Sequence, residues 1–387
     1  LTDHSTYTLS VADPQFSYRT KDSMFKLRVR PILGADITAS KKGVLLHRWY
    51  GAELQMDIAN HLSIWGSLRD NSWSGDWLSK KYYSTDNARI YGARIHYGAS
   101  QAQPALTPLD GVQYKESSYG GDFSDSKGGL SLYTWWGSIG LQRENIQWGA
   151  AYHSSNILSG RAPAVPMITL QLTPCKWLQF DYYHAWLVSN LMDSTYYYSE
   201  NTTKQDEQIK QYRPMNKFMA ANMLTITPIK HLSISLGNSV IYSERTIQAA
   251  YLIPIAFYKS MDHLLTKGIA TQNQNSQVFA SLSVRPVDHL HLYGSFYLDE
   301  FSFNRLKPSN KEKNPISYLV GFNWSGWPVE GLSLKGEFMR SYIACYTHSI
   351  DALTWASNSY NLGHYMGDNA QSIYAELAYR PIRGMII

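Results

Sequence analysis

The sequence of 387 residues has few features of soluble proteins and none of helical membrane proteins. Charged residues make up only 17 %, whereas a typical soluble domain carries roughly 25 %. No apolar run approaches the roughly 18 residues that a membrane-spanning helix needs. The segment AAYLIPIAF (249–257) is about the longest such run. If the chain spans a membrane, it therefore does so with β-strands closed into a barrel.

Cysteines, catalytic motifs and a clustered basic face are also missing. The two cysteines, Cys175 and Cys345, fit neither a disulfide framework nor a metal site. The net charge of +5 is spread along the chain, which does not indicate a nucleic-acid-binding face. No Gly-x-Ser-x-Gly motif, Cys/His pairing or phosphate-binding glycine loop occurs. We therefore expect a protein that is not an enzyme, with no cofactor, no metal ion and no nucleic-acid partner.

Aromatic residues are abundant, at 14 % with 29 Tyr, and many stand in segments where apolar and polar residues alternate. Before Pro286, for example, Val278, Ala280, Leu282 and Val284 alternate with Gln277, Phe279, Ser281, Ser283 and Arg285. A period of two indicates strands with one apolar face. A soluble β-sandwich also alternates, but its water-facing positions carry more Lys, Glu and Asp than the Ser, Gly, Tyr, His and Thr found here.

One short pattern, Pro-x-x-x-Leu, recurs along the chain. It begins at Pro174, Pro228 and Pro286, with looser copies at Pro328 and Pro381. Because proline donates no N–H, each copy predicts a tight turn at the end of a strand. Long polar segments such as 191–216, 244–275 and 343–370 connect these hairpins. Short turns at one end and long loops at the other are typical of outer-membrane barrels.

The sequence therefore predicts an all-β fold, a transmembrane antiparallel outer-membrane β-barrel of about 14 to 18 strands. We expect its lumen to be partly filled by inward-folded segments. Residues 1–22 form an N-terminal segment in this interpretation, and residues 23–387 form the barrel, whose last strand or strands are expected to be either missing or short. Between strands predicted at 87–99 and 165–173, only one further strand is evident, at roughly 129–142. The predicted location is the bacterial outer membrane, with lipid and lipopolysaccharide as surroundings.

Several stretches together resemble the Wzi-type capsule-assembly outer-membrane proteins, in particular their Bacteroidota branch with its gliding-motility-associated members. The stretches are RWYGAELQMDIANHLSIWGSL (48–68), ENIQWGAAYHSSNILSGRAPAVPMITLQL (144–172), AYLIPIAFYKSMDH (250–263), HLHLYGSFYLDEF (289–301) and NLGHYMGDNAQSIYAELAYRPIRGM (361–385). The resemblance implies a monomeric barrel that displays a polysaccharide-binding surface or joins an outer-membrane assembly. The sequence departs from the family at 148–153, where the family pattern is richer in glycine and arginine.

Segment 144–165 joins two predicted strands and is rich in small and polar residues. Its Trp148, His153, Asn156 and Arg161 either bind sugar hydroxyls or a phosphate in the lumen, or belong to a plug that fills it. In the second case we expect Arg161 to pair with a wall carboxylate, Asp181 or Glu144.

Two further groups of polar residues on predicted strands are candidate sites. Asp299 and Glu300 are adjacent and so point to opposite faces, which excludes two carboxyls converging on one glycosidic bond. We expect Asp299 to face the lumen as the partner of an arginine. His289 and His291 share a face, but they are better explained as polar turn and lumen residues than as metal ligands.

Loop aromatics are the best glycan-binding candidates, because flat rings stack on the apolar faces of sugars. We single out Trp77, Trp355 and Tyr360, with the aromatic girdle of a barrel as the alternative explanation. Segment 247–265 is too apolar to stand freely in water. Its Tyr251, Ile253, Ile255 and Phe257 are expected to fold into the lumen, dip into lipid or contact a partner protein.

The leading functional hypothesis is a surface-exposed, non-catalytic outer-membrane barrel that binds or helps attach extracellular polysaccharide. The first alternative is an accessory structural subunit of a larger outer-membrane complex for secretion, gliding or barrel assembly, with other outer-membrane proteins as partners. The second alternative is a diffusion pore.

Overall fold

The computed structural model describes residues 6–10, 15–40, 43–75, 112–117, 120–200, 209–261, 274–300, 302–307, 313–358 and 360–382. These residues are mostly β-strand, and the long strands pair antiparallel with their neighbours. The chain divides into two compact units. The first contains Leu1–Asn145 and Arg161–Leu170, and the second contains Ile146–Gly160 and Gln171–Ile387.

The first unit is built from strands that pair in the order of the chain, except that β5 pairs with β7 while β6 pairs with the start of β7. Its strands are β1 (Thr6–Ser10), β2 (Gln15–Arg19), β3 (Phe25–Ser40), β4 (Gly43–Ile58), β5 (Leu62–Gly75), β6 (Val112–Ser117), β7 (Gly120–Thr134) and β8 (Gly137–Glu144). The predicted boundary at residue 22 falls in the turn between β2 and β3, and β2 pairs with β3.

The second unit contains the remaining strands, and β12 to β18 again pair in chain order, followed by β21. Its long strands are β12 (Leu178–Glu200), β13 (Ile209–Ile229), β14 (Leu232–Tyr242), β15 (Gln274–Val287), β16 (Leu290–Leu298), β17 (Ile316–Ser325), β18 (Leu332–Ser341) and β21 (Gln371–Tyr379). β11 (Val165–Cys175) has residues in both units. Two-residue strands form the pairs β9 (Gln147–Trp148) with β10 (Leu158–Ser159) and β19 (Ala356–Ser357) with β20 (Tyr360–Asn361). Short 3₁₀ turns occupy Ala249–Leu252, Phe303–Leu306 and Asp351–Leu353.

The described strands bear out the predicted fold class. Sixteen of them pair antiparallel with another strand of the same unit, eight in each unit, which is within the predicted range of 14 to 18. Among the described residues, no helix has the length and apolar character needed to cross a membrane.

The tight turns predicted from Pro-x-x-x-Leu are present at three positions in the second unit. Residues 176–177, 230–231 and 288–289 each separate two paired strands. At Pro228 and Pro286 the register shifts by a bulge immediately beside the turn, which is where a residue without an N–H is tolerated. In each turn the second residue's carbonyl accepts an N–H from a following strand, as in Arg285 N–H to His231 O at 2.8 Å. Each turn is therefore tied to the next hairpin.

The single strand predicted at 129–142 is wrong. Residues 120–134 and 137–144 form two strands, β7 and β8, joined by a turn at Trp135 and Trp136. Neither tryptophan is a typical turn residue. The alternation of apolar residues before and after them therefore predicts one continuous strand. The overlooked signal is Gly137, whose φ of 154° marks the turn. The predicted strand at 87–99 lies outside the described residues.

Side chains of the long strands alternate between two faces, which we call the apolar face and the polar face. The apolar face of the first unit carries exposed residues such as Leu33, Leu68 and Leu130. In the second unit the same face carries Leu224, Leu236, Leu282, Val320 and Ile373, all exposed. Exposed aliphatic side chains in a continuous pattern of two are the arrangement of strands that face lipid.

The polar face of the second unit is covered by two segments, which we call the plug segments (residues 146–160 and 343–370). Their residues Ile157, Leu353 and Trp355 are fully buried and form the core of this unit together with wall residues such as Phe279. Gly237, on the neighbouring strand, leaves room for the Phe279 ring, because a Cβ there would collide with it. Inward-folded segments were predicted, and the plug segments are of this kind.

Candidate functional site: the polar face and its cavity

The polar face of the first unit carries charged and amide side chains on successive strands. Strand register aligns Arg28 with Gln55 and Arg30 with Glu53 across β3 and β4. Both pairs continue onto the next strands as rows of side chains. Gln55 pairs with Trp65 on β5, whereas Glu53 pairs with Ser67 on β5, and Ser67 pairs with Lys127 on β7. Because paired residues on antiparallel strands share a face, these side chains all point the same way.

Opposite charges on this face are paired across neighbouring strands. Arg30 forms an ion pair with Glu53, and the Arg69 guanidinium lies 3.4 Å from the Asp125 carboxylate. Lys127 Nζ lies 3.0 Å from Glu144 Oε1. The cations and carboxylates therefore hold one another in defined positions along the face.

These side chains line an open cavity of about 920 Å³ in the first unit. The lining includes four cationic residues, three carboxylates, two glutamines and one tryptophan: Arg28, Arg30, Arg69, Lys127, Glu53, Asp125, Glu144, Gln15, Gln55 and Trp65. Such a surface offers planar donors and acceptors for hydroxyl and carboxylate groups, together with an aromatic ring for stacking. It suits a polar, hydroxyl-rich or anionic ligand better than an apolar one.

This cavity is a site that the sequence interpretation missed. The signal was present in β3, where Lys26, Arg28 and Arg30 repeat with a period of two. A cationic row on a strand whose other face is apolar indicates a polar interior surface. The partner row on β4, with Glu53 and Gln55, follows only once the register of the hairpin is known.

In the second unit, the residues predicted for segment 144–165 have packing contacts with the strands. The Trp148 ring stacks on Tyr183 with ring centres 4.7 Å apart. His153 stacks on Tyr374 at 3.9 Å. Asn156 is fully buried, donates from Nδ2 to Ser317 Oγ at 3.3 Å and accepts a hydrogen bond from Ser295. These contacts fit the plug alternative.

The plug segment 146–160 is fixed by one buried carboxylate on β18. Glu337 Oε1 accepts the backbone N–H groups of Tyr152 at 2.6 Å and His153 at 3.0 Å. The same oxygen accepts the Tyr293 hydroxyl at 2.7 Å. A negative charge that receives several donors is bound firmly, so Glu337 anchors the plug segment to the polar face.

Both carboxylates considered as partners of Arg161 receive donors from other residues. Glu144 pairs with Lys127, and Asp181 accepts the side-chain amides of Gln171 at 3.0 Å and Gln179 at 2.8 Å. Arg161 itself is half-buried at the end of the plug segment.

Asp299 lies just beyond the end of β16, on the side of the polar face, as predicted. Its carboxylate accepts the Gln277 amide at 3.2 Å, so this donor is an amide and not the expected arginine. Burial raises the pKa of Asp299 to about 7, although the amide hydrogen bond acts in the opposite direction. Glu300 points away and pairs with Arg305 at 2.9 Å.

The histidines considered as metal ligands are engaged in hydrogen bonds. His291 lies 2.9 Å from the Tyr152 hydroxyl and 2.8 Å from Ser283 Oγ, and His289 lies 2.8 Å from the Ser325 carbonyl. Within the part of the chain that the structure describes, no cluster of His, Cys, Asp and Glu has the arrangement of a metal site.

Two of the three candidate glycan-stacking aromatics are buried, which corrects the expectation that they are exposed in loops. Trp355 is fully enclosed in the plug and donates its indole N–H to the Ile157 carbonyl at 3.0 Å. Tyr360 is also buried, in β20. Their ring faces are therefore covered by protein, because the loops that carry them fold onto the polar face. Trp77 lies outside the described residues.

The candidate docking residues divide between two sides of segment 247–261. Tyr251 is fully buried, and its hydroxyl donates to Gln274, so it does not offer a docking surface. Ile253, Ile255 and Phe257 are exposed. The sequence of an apolar segment does not show which of its sides packs against the sheet. The same role was therefore expected for all four residues.

No family model matches the chain, and no curated protein matches it. Solved structures with a similar strand arrangement include OccK9 of Pseudomonas aeruginosa, at 9 % identity and a TM-score of 0.36, covering 92 % of this chain and 87 % of that one. The outer membrane protein OprD of Pseudomonas aeruginosa has 11 % identity and a TM-score of 0.31, covering 100 % and 89 %. OmpT, an outer membrane protein of Vibrio cholerae, has 9 % identity and a TM-score of 0.31, covering 83 % and 88 %.

At these scores the likeness carries no argument by itself, and the fold class rests on the strands. Long antiparallel strands in chain order, tight turns at one end, an exposed apolar face and a polar face with inward-folded segments define the class. The chain has the fold class of the transmembrane antiparallel outer-membrane β-barrels. Proteins of this class lie in the bacterial outer membrane, the location that the sequence predicts.

Proposed function

We propose that the protein is a non-catalytic outer-membrane protein that binds extracellular polysaccharide in the cavity of the first unit. The observation that carries the proposal is the cavity's lining, in which Arg28, Gln55 and Trp65 stand in one row across three strands. A sugar ring can stack on the indole while its hydroxyls meet the guanidinium and the amide. The cationic residues outnumber the carboxylates by four to three, which favours an acidic saccharide.

The arrangement of the carboxylates supports a binding function over glycoside hydrolysis. Hydrolysis requires one carboxyl group that gives a proton and a second that acts on the opposite side of the bond. Glu53, Asp125 and Glu144 are each paired with a cation on the same face. A carboxylate that a neighbouring cation holds in place is poorly positioned to act as one of these two groups.

The proposal is tested by measuring saccharide affinity for the purified protein in nanodiscs. A panel of acidic and neutral oligosaccharides is titrated against the protein and against the variants Trp65→Ala and Arg28→Ala. We expect each variant to weaken binding by about tenfold or more, since stacking and charged hydrogen bonds each contribute roughly 1–3 kcal/mol. Trp177→Ala, in the turn before β12, is the control with unchanged affinity. Equal affinities for all the variants would contradict the proposal.

An accessory role in a larger outer-membrane complex is the second candidate. Exposed apolar side chains at Ile253, Ile255 and Phe257 favour it, because a large exposed apolar patch often marks a contact surface. Purification in mild detergent followed by mass spectrometry tests this role, and a stoichiometric protein partner would support it. The pore alternative is tested separately by single-channel conductance in planar bilayers, where a steady open current would support it.

A further inference from the structure

A segment between β14 and β15 packs on the apolar face of the second unit. We call residues 247–261 the strap. It forms hydrogen bonds with Tyr182, Asn222 and Asn238, which lie side by side on β12 to β14, and with Tyr242 at the end of β14. These residues share a face with Leu224 and Leu236, which stand two positions from Asn222 and Asn238 and are exposed. The strap therefore lies on the opposite side of the strands from the plug segments.

Beneath the strap, the otherwise apolar face carries two polar side chains, and the strap provides their hydrogen-bond partners. Asn222 Nδ2 donates to the carbonyls of Pro254 at 2.7 Å and Ala256 at 2.9 Å. Asn238 Nδ2 donates to Asn222 Oδ1 at 2.6 Å, and Asn238 Oδ1 accepts the N–H of Tyr258 at 2.9 Å. Two amide side chains facing hydrocarbon without partners would cost several kcal/mol. Under the strap they are paired.

Aromatic side chains complete the contact. Tyr251 and Tyr258 on the strap are fully buried, and the Tyr251 ring lies 4.8 Å from that of Tyr242. The Tyr182 hydroxyl donates to the Tyr251 carbonyl at 2.9 Å. His184 is also fully buried here and lies 2.8 Å from the Tyr242 hydroxyl. The strap is therefore a packed element and not a loosely attached loop.

The outer side of the strap is apolar between residues 252 and 257. Leu252, Ile253, Ile255 and Phe257 are exposed, with Ile255 at 78 %. This surface continues onto the apolar face of the strands, where Leu236 is 61 % exposed. A loop in water has the reverse arrangement, with apolar side chains turned inward and polar groups turned outward.

We propose that the strap lies in the hydrocarbon of the membrane and that its outer surface contacts lipid acyl chains. The inference rests on the proposed outer-membrane location but not on saccharide binding. Asn238 is six residues from Leu232, which is roughly 20 Å along the strand and roughly 15 Å along the membrane normal at a typical tilt. This position falls within an apolar band of about 25 Å.

Hydrogen bonding within the strap fits hydrocarbon as its surroundings, because lipid supplies no donors or acceptors. The N–H groups of Tyr251, Ile253 and Ala256 donate to carbonyls within the strap, and those of Ser260 and Met261 donate to the Phe257 carbonyl. The carbonyls of Tyr251, Pro254 and Ala256 accept from the strands. These backbone groups therefore bond within the strap or to the sheet, while the exposed aliphatic side chains point away from the sheet.

The test uses a fluorescent NBD label at a single cysteine in liposomes that contain doxyl-labelled lipid. The background carries Cys175→Ser and Cys345→Ala, and the label is placed at Ile255→Cys, Leu236→Cys or Glu330→Cys. Leu236 reports the exposed apolar face, and Glu330 reports the turn before β18. Acyl-chain doxyl quenching and aqueous iodide quenching are measured for each, with folding checked by heat-modifiable gel mobility.

We expect the label at Ile255 to match that at Leu236, with doxyl quenching at least threefold stronger than at Glu330 and little iodide quenching. Iodide quenching at Ile255 equal to that at Glu330 would overturn the inference. Protection from both quenchers would also overturn it, because a second protein surface would then cover the strap. If Leu236 itself is not quenched by lipid, the proposed membrane location fails, which is a separate result.

A second variant tests how the strap is held. Replacing both amides, Asn222→Ala and Asn238→Ala, removes its side-chain anchors, and we expect iodide quenching of the Ile255 label to rise at least twofold. Ser239→Ala, which changes the opposite face of the same strand, is the control with unchanged quenching. An unchanged label in the double variant would contradict the assignment of Asn222 and Asn238 as anchors.

Discussion

At the scale of single residues, the buried acids of the second unit have different roles because they receive different donors. Glu337 accepts hydrogen bonds from two backbone N–H groups and a hydroxyl, so it holds a plug segment in place. Asp299 receives the Gln277 amide, and burial keeps its pKa at about 7. One carboxylate therefore works as an anchor, whereas the other changes its protonation state near pH 7.

Asp299 makes stability depend on pH. Its pKa is higher in the folded protein, at about 7, than the ordinary value of 3.8, so the folded state binds more protons between these values. Stability therefore falls as the pH rises from about 4 to about 7, by an amount on the order of 4 kcal/mol. Urea unfolding in detergent at several pH values measures this, and Asp299→Asn should remove the dependence. A variant with the same pH dependence as the parent protein would contradict the assignment.

Replacing Glu337 with Gln should loosen the plug segment 146–160. The amide keeps the shape but loses the charge that accepts the Tyr152 and His153 N–H groups, so we expect a loss of about 1.5–3 kcal/mol. Faster proteolysis within residues 150–156 should accompany the loss of unfolding free energy. Glu376→Gln breaks the more exposed pair with Lys335 and should cost less than about 1 kcal/mol. Equal effects of the two substitutions would refute the anchor role.

At the scale of elements, the residues within a turn determine where the turn forms, whereas contacts with residues far away in the sequence determine where the strap and the plug segments pack. Pro-x-x-x-Leu predicts the turns at 230–231 and 288–289, because proline restricts its own backbone wherever it stands. The turn at Trp135 and Trp136 was missed because no such residue marks it apart from Gly137. The strap and the plug segments are apolar, aromatic-rich stretches alike. Which face each one covers depends on the wall residues beneath, Asn222 for the strap and Glu337 for the plug, and sequence spacing does not reveal this.

The turn between β4 and β5 offers a test of backbone strain. Ala59 adopts a φ of 52°, a left-handed conformation that costs a residue with a Cβ roughly 1 kcal/mol. Ala59→Gly should therefore raise the unfolding free energy by about 0.5–1 kcal/mol. Ala52→Gly, inside β4, should lower it by about 0.5–1 kcal/mol because glycine in a strand loses more backbone entropy. Effects of the same sign at both positions would contradict the geometry of this turn.

At the scale of the whole molecule, the sequence predicts that apolar and polar side chains alternate along the strands. It does not predict which segments or surroundings contact each face. The period of two indicates one apolar and one polar side, and the structure adds that Leu68 is exposed while Ser67 lines a charged cavity. Trp355 and Tyr360 show the limit of this reasoning. Loop aromatics look alike in sequence whether they face water or, as here, are buried in the plug.

A charge placed on the two faces of β5 should have unequal effects. Leu68→Arg puts a guanidinium on the exposed apolar face and should cost about 2–4 kcal/mol in a bilayer. Ser67→Arg, one residue away, points into the cavity beside Glu53 and Lys127 and should cost less than about 1 kcal/mol. Reversible unfolding from lipid vesicles measures both changes. Comparable costs at the two positions would count against lipid contact.

We infer that lipid contacts the apolar face of the strands and that water contacts the polar face of β5. The most direct measurement is the accessibility of a nitroxide spin label to oxygen and to a water-soluble nickel complex, at Ile64→Cys and Leu68→Cys against Ser63→Cys and Ser67→Cys. We expect high accessibility to oxygen and low accessibility to the nickel complex at positions 64 and 68, and the reverse at positions 63 and 67. Low accessibility to both reagents at 64 and 68 would contradict it, because those side chains would then lie in a dry protein interior.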